Sequence, residues 1–182
     1  MAAERGGREK RPIGGASGIR AGEDAGSVST ARAAALRLLA VHARSRAELG
    51  ERLALKGFDA STVATVLDDL TGIRLLDDES FARDWVQVRS EVRGSAPAVL
   101  RRELLAKGVD AGLIEEAIAG TFPGDAVAGR AWEVGRMRLQ RLQGLTPEVQ
   151  ARRLAGYLMR RGYPEGLAKR VAVELTGVFE VH

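Results

Sequence analysis

One short pattern recurs three times in this chain and limits what it can become. It reads 53-LALKGFDA-60, then 104-LLAKGVDA-111, then more loosely 158-LMRRGYPE-165. Its glycines, Gly57, Gly108 and Gly162, lie 51 and 54 residues apart. Eight residues before each stands Leu49, Leu100 or Leu154, and four before each Leu53, Leu104 or Leu158. A hydrophobe follows at once (Phe58, Val109, Tyr163), and further apolar residues lie nine and ten positions on: Val66 and Leu67, Ala117 and Ile118, Val171 and Ala172. The four-residue spacing marks one face of a helix. A glycine after the last apolar position supplies the left-handed residue that ends it. The repeat is therefore two helices joined by a tight glycine turn. A further helical segment precedes each pair, over roughly 29–43, 78–93 and 125–142.

The reading is all-α: three tandem three-helix repeats over 29–77, 78–124 and 125–182, behind a disordered tail at 1–28. Repeats of about 50 residues cannot bury an apolar face alone, so they stack into an elongated, curved array. Local signals agree. In 45-SRAE-48 the spacing is that of a capping box. Asp59 or Ser61, and Asp77 or Asp78, are placed to cap the helices that follow. Ser95 before Pro97 and Thr146 before Pro147 suggest capped, proline-led starts. Leu36, Leu39 and Ala40 propose the buried face of the first helix, and Phe81 with Trp85 that of the fourth.

Composition narrows the chemistry. There is no Cys, which removes disulfides and thiolates, and only two His, His42 and His182. His42 lies among Arg and Ala on a helical segment, a poor setting for a hydrolase triad. The glycines of 14-GGASG-18 follow no strand and precede no Gly-Lys-Ser/Thr, so a phosphate loop is not read there. Asp77, Asp78 and Glu79 lack the dozen-residue ligand spread of a calcium loop, and helix capping accounts for them. No cofactor and no metal are expected. No apolar run approaches a membrane span, and a soluble, cytoplasmic monomer is expected.

Charge is uneven. Residues 78–128 carry 6 basic against 9 acidic side chains, a balance of −3, whereas residues 129–182 carry 10 against 5, a balance of +5. A basic last third suits an anionic partner, nucleic acid or an acidic protein face. In 130-RAWEVGRMRLQR-141 the arginines form a broad positive helix face, and Arg152–Arg153, Arg160–Arg161 and Lys169–Arg170 add pairs near the turns. Trp132 and Tyr163, beside arginines, are the candidates for base stacking, although core packing suits both.

The order of 45-SRAELGERLALKGFDASTVATVLDDL-70, 75-LLDDESFARDWVQVRS-90, Gly94 and 100-LRRELLAKGVD-110 resembles the RecX family of recombination regulators. The likeness covers roughly 30–120 well and 121–180 weakly, through 152-RRLAGYLMRRGY-163; in the third turn Pro164 replaces the Asp of the first two. It implies an all-helical regulator rather than an enzyme, one that binds the RecA recombinase filament on single-stranded DNA and inhibits ATP hydrolysis and strand exchange. Single- or double-stranded DNA would be a further partner of the basic surface. The family pattern carries no catalytic set. Charge and position select Arg83, Arg89, Arg93, Arg101, Arg102, Lys107, Arg130, Arg136, Arg160 and Arg161 as the partner-binding residues. Two other readings compete: a helix-turn-helix protein reading duplex DNA directly, and a helical-repeat adaptor for some other protein. Asp68–Asp69 and Glu115–Glu116, on the helices after the first two turns, would repel phosphates and argue against the former.

Overall fold

The computed structural model describes the backbone of residues 18–178, with side chains from Ser27 onward. Its described residues form α1 (Gly18–Val41), α2 (Arg46–Ala54), α3 (Ala60–Gly72), α4 (Asp78–Arg93), α5 (Pro97–Ala106), α6 (Ala111–Thr121), α7 (Ala126–Leu139), α8 (Pro147–Arg160) and α9 (Glu165–Thr176), with a single 3₁₀ turn at Gln140–Leu142. No strand occurs among them. Within each successive group of three the first helix lies on the third: α1 on α3, α4 on α6, α7 on α9.

Against the expectation that a repeat of this size buries its apolar face only by stacking, each group closes a core of its own. Ala31, Ala35, Leu49, Leu53, Val66 and Leu70 make the first. Phe81, Val86, Leu100, Leu104, Ile114 and Ile118 make the second. Ala131, Val134, Leu154, Leu158, Val171 and Ala172 make the third. The repeated leucine pairs of α2, α5 and α8 are fully buried in all three. At about 1.5–3 kcal/mol per buried leucine, they are a main source of stability in cores with few rings.

Caps fix the helix starts. Ser45 and Glu48 form the capping box of α2: Glu48 N–H donates to Ser45 Oγ at 3.1 Å and Ser45 N–H to Glu48 Oε2 at 3.4 Å. Asp59 accepts from Thr62 N–H at 2.9 Å and Asp77 from Ser80 N–H at 3.0 Å. These bonds hold both carboxyls below their ordinary range, the largest contribution being Ser61 Oγ–H for Asp59 and Ser80 N–H for Asp77.

Several local expectations change. Residues 1–17 of the expected tail lie outside the described residues, while helix α1 already begins at Gly18. The stretch from there to Val28 holds no proline, which leaves no missing amide to stop a helix. The buried face of α1 is Ala31 and Ala35, with Leu38 and Leu39 partly covered; Leu36 is 41% exposed and Ala40 is exposed. The two alanines let α1 approach α3 closely, which a search for large residues overlooks. His42 lies just past α1. The cap position of α5 is Ala96 rather than Ser95, and neither Ala96 nor Thr146 caps its helix with a side chain. Proline at the first helical position leaves one amide fewer to satisfy there.

The glycine turns do more than end helices. Gly108 has φ +70°, and a Cβ there would stand 2.4 Å from Ala47 Cβ in the first turn of α2. Gly162 has φ +89°, and its Cβ would stand 2.8 Å from Val99 Cγ2 and 3.0 Å from Val99 N in the first turn of α5. The preceding carbonyls are engaged too. Ser45 Oγ–H donates to Lys107 C=O at 2.5 Å, and Ala96 N–H donates to Arg161 C=O at 2.8 Å. Each later turn thus seats the first turn of the preceding group's middle helix. Side chains reinforce the first joint. Lys107 Nζ pairs with Glu48 at 2.5 Å, and Arg46 N–H donates to Asp78 Oδ1 at 2.7 Å. Burial outweighs that bond and pushes the Asp78 carboxyl up.

Candidate partner-binding surface

The ten basic residues selected by charge and position have different roles in the fold. Lys107, one-fifth exposed, is bonded to Glu48 and stands 4.3 Å from the Trp85 ring centre. Arg89 lies over the same ring at 4.1 Å, and Trp85 Nε1–H donates to Glu103 at 2.9 Å. Arg101 grips Glu115 with two bonds, at 2.5 and 2.7 Å, which raises the guanidinium's pKa and lowers the carboxyl's. Arg83 pairs with Glu79 one turn back. Arg130 reaches from α7 to the Ser90 and Glu91 carbonyls at 2.8 and 3.0 Å and joins α7 to the end of α4. These five are already engaged within the chain. Arg136 is exposed with its guanidinium 5.9 Å from the Trp132 ring, and Arg93, Arg102 and Arg160 are exposed without an ion-pair partner among the described residues.

A denser arrangement forms where α7, the 3₁₀ turn and α8 meet the end of α4. Tyr157 of α8 is flanked by two guanidinium groups, Arg138 at 4.9 Å and Arg161 at 5.0 Å from the ring centre. Such contacts between a cation and a ring face are worth about 0.5–2 kcal/mol each and hold the charges in place. Arg161 also donates to the Arg93 carbonyl, which ties the third group to the second. Arg138 Nε is buried without a hydrogen-bond partner, so the ring is its main local support. A cleft of about 180 Å³ opens here, lined by Arg93, Val134, Met137, Arg138, Arg141, Tyr157 and Arg161, with Glu91 its one acid. Around Arg138 it adjoins a second of about 420 Å³, lined by Arg152, Arg153, Gly156 and Arg160.

The amphipathic pattern of α8 makes this surface. Leu154 and Leu158 point into the core, which turns Arg152, Arg153 and Arg160 outward. Arg136 and Arg138 sit in the last turn of α7, where cations offset the negative helix end. The chosen set included Arg93, Arg160 and Arg161, which the fold brings together. It omitted Arg138, Arg141, Arg152, Arg153 and Tyr157. The seven- and eight-residue spacings from Arg153 and Arg152 to Arg160, on one side of α8, are the available signal. Contact between α7 and α8 was not visible in sequence. Tyr163, a stacking candidate, is 3% exposed and packed in the core; burial pushes its hydroxyl up to about 12, so it stays neutral.

The surface can bind phosphates or carboxylates through many bidentate donors. Among the described residues no helix is long and apolar enough to cross a membrane.

Comparison with known proteins agrees with this architecture. Residues 31–70 match the model of the first three-helix domain of RecX, and residues 77–118 that of the second. A Regulatory protein RecX from Mycobacterium ulcerans is 42% identical over 144 residues, covering 79% of this chain and 83% of that protein. The chain belongs to the RecX family. Another member, from Corynebacterium efficiens, is 42% identical over 147 residues, 79% of this chain and 70% of its own. The crystal structure of RecX from Lactobacillus salivarius superposes with a TM-score of 0.70 at 18% identity, over 85% of this chain and 99% of that one. A second crystal structure of regulatory protein RecX also gives 0.70, at 20% identity, over 84% and 75%. Both likenesses extend the shared fold beyond the two matched domains.

Proposed function

We propose that this chain is a cytoplasmic regulator of homologous recombination that binds the RecA recombinase filament on single-stranded DNA and suppresses its ATP hydrolysis and strand exchange. It acts by occupancy rather than by catalysis. Membership of a family of regulatory proteins supports the role. The arginine surface around Tyr157 is the observation that carries the mode of binding. A filament on DNA offers phosphates and acidic protein side chains close together, and a row of helical groups with fixed guanidinium groups can contact both.

The fold also weighs against direct reading of a duplex. In α3 the exposed residues include Asp68 and Asp69, and in α6 Glu115 and Glu116, so the helix after each of the first two turns presents acids, three of them paired with arginines of the same chain, where a duplex reader needs free donors. The expected mode is electrostatic and largely independent of sequence. If Arg141, Arg152, Arg153 and Arg160 each neutralise one phosphate of a single strand, they contribute about 3 to the slope of log affinity against log salt. The test of function is single-stranded-DNA-dependent ATP hydrolysis by the cognate recombinase, with and without this protein. A fall that deepens with added protein is expected; an unchanged rate at saturating protein would overturn the proposal.

A further inference from the structure

Two of the three glycine turns seat a neighbouring group of helices, and the first does not. In both internal joints the residue just before a middle helix, Ser45 or Ala96, donates to the carbonyl just before the next group's turn glycine. In both, that glycine closes on the helix's first turn, at Ala47 or Val99. Each half of this joint occurs once more without its complement. The turn Lys56–Gly57 is exposed, Leu55 beside it is 80% exposed, and a Cβ on Gly57 would meet nothing within 4 Å although its φ is +90°. The first turn of α8, Thr146 to Glu148, is exposed as well.

The two unmatched halves are complementary. In the first joint the lysine before the glycine, Lys107, pairs with Glu48 in the first turn of α2. Lys56 holds the corresponding place before Gly57, and Glu148 lies in the first turn of α8; neither has an ion-pair partner among the described residues. The Thr146 hydroxyl already serves Glu148, which leaves the Thr146 N–H as the donor, as the Ala96 N–H is in the second joint.

We infer that the Gly57 turn of one copy docks on the first turn of α8 of a second copy, head to tail, with Thr146 N–H donating to Lys56 C=O and Lys56 Nζ paired with Glu148. The contact repeats between copies the joint that the chain makes twice within itself. Being heterologous, it leaves both free ends exposed again and does not close at a dimer. The internal joints form at the effective concentration of a short linker, on the order of millimolar. One such joint between free copies is correspondingly weak, and it gains strength when copies are held side by side.

The chain lacks cysteine, so introduced thiols report cleanly. A Lys56→Cys chain mixed with a Glu148→Cys chain, treated with a short bis-maleimide, is expected to form mixed dimers about tenfold faster than Arg37→Cys mixed with Glu148→Cys. Sedimentation equilibrium of the unmodified chain up to about 1 mM should give a mass that climbs above 19.5 kDa without a plateau at two copies. Lys56→Glu or Glu148→Lys alone should lower that mass, and the chain carrying both should restore it. A single-chain mass throughout, cross-linking at the control rate, or failure of the double exchange would each overturn the inference. The first of these would leave the Gly57 turn to another occupant, such as residues 1–17 of the same chain.

Discussion

Replacing Gly108 by alanine tests the joint between the first two helical groups, and Gly57→Ala supplies its control. Both glycines have positive φ, at +70° and +90°. Alanine at either site takes on the left-handed strain of an L-residue, about 1–2 kcal/mol. Gly57→Ala stops there, because open space surrounds its new methyl. Gly108→Ala also drives that methyl to 2.4 Å from Ala47 Cβ, well inside contact distance. Either α2 or the turn must move by about 1 Å or more, and overpacking of this kind costs about 1–3 kcal/mol. Gly108→Ala should therefore lose about 2–5 kcal/mol in all. For a chain of this size that is a Tm drop of roughly 4–20 °C, against about 2–8 °C for the control. Adding Ala47→Gly removes the opposing methyl at the cost of about 1 kcal/mol of helix propensity. The double variant should be less damaged than the two single losses added together. Urea unfolding followed by circular dichroism, and by tryptophan fluorescence, which Trp85 beside Lys107 shares with Trp132, reads all four chains. Equal losses for Gly57→Ala and Gly108→Ala, or strict additivity with Ala47→Gly, would refute the joint.

Other perturbations have expected outcomes of their own. Leu104→Ala, at a fully buried site, should cost about 2–5 kcal/mol in urea unfolding, whereas Leu105→Ala on the exposed side should cost under about 0.5. Lys107→Ala removes the partner of Glu48 and the cation over Trp85; an emission shift and a loss of about 1–2 kcal/mol should appear together, and an unmoved spectrum would contradict the contact. Asp77 has a folded pKa below its ordinary 3.8, so the stability it contributes is present above that value and lost as pH falls through the folded value. In thermal melts between about pH 5 and 2, Asp77→Asn should flatten the acid loss, and a slope identical to the parent's would count against the cap.

Fold class was readable because helix period, glycine turns and capping residues act over a few positions. The leucine pairs of α2, α5 and α8 stand where their spacing put them. The buried face of α1 differs from the one its leucine spacing suggests, because small residues, Ala31 and Ala35, are buried there. Contacts that depend on remote partners left no local trace. Lys107 meets Glu48 across 59 positions and Arg130 meets Ser90 across 40, so both looked like free cations in the sequence. The surface around Tyr157 was legible only in parts, as a charge excess and as paired arginines on α8. Its convergence required α7 to pack beside α8, a tertiary fact. The joint at each later glycine was hidden too, because one residue type satisfies both the helix end and the docking.

The most direct measurement is a titration of recombinase ATP hydrolysis on single-stranded DNA with two proteins. One is the parent chain. The other carries Arg141→Glu, Arg152→Glu, Arg153→Glu and Arg160→Glu, all at exposed sites without an ion-pair partner among the described residues, and its circular dichroism and Tm should stay close to the parent's. The parent is expected to suppress hydrolysis, and the substituted chain to need at least about tenfold more protein for the same effect. Equal potency of the two proteins, or no suppression by the parent, would contradict the account.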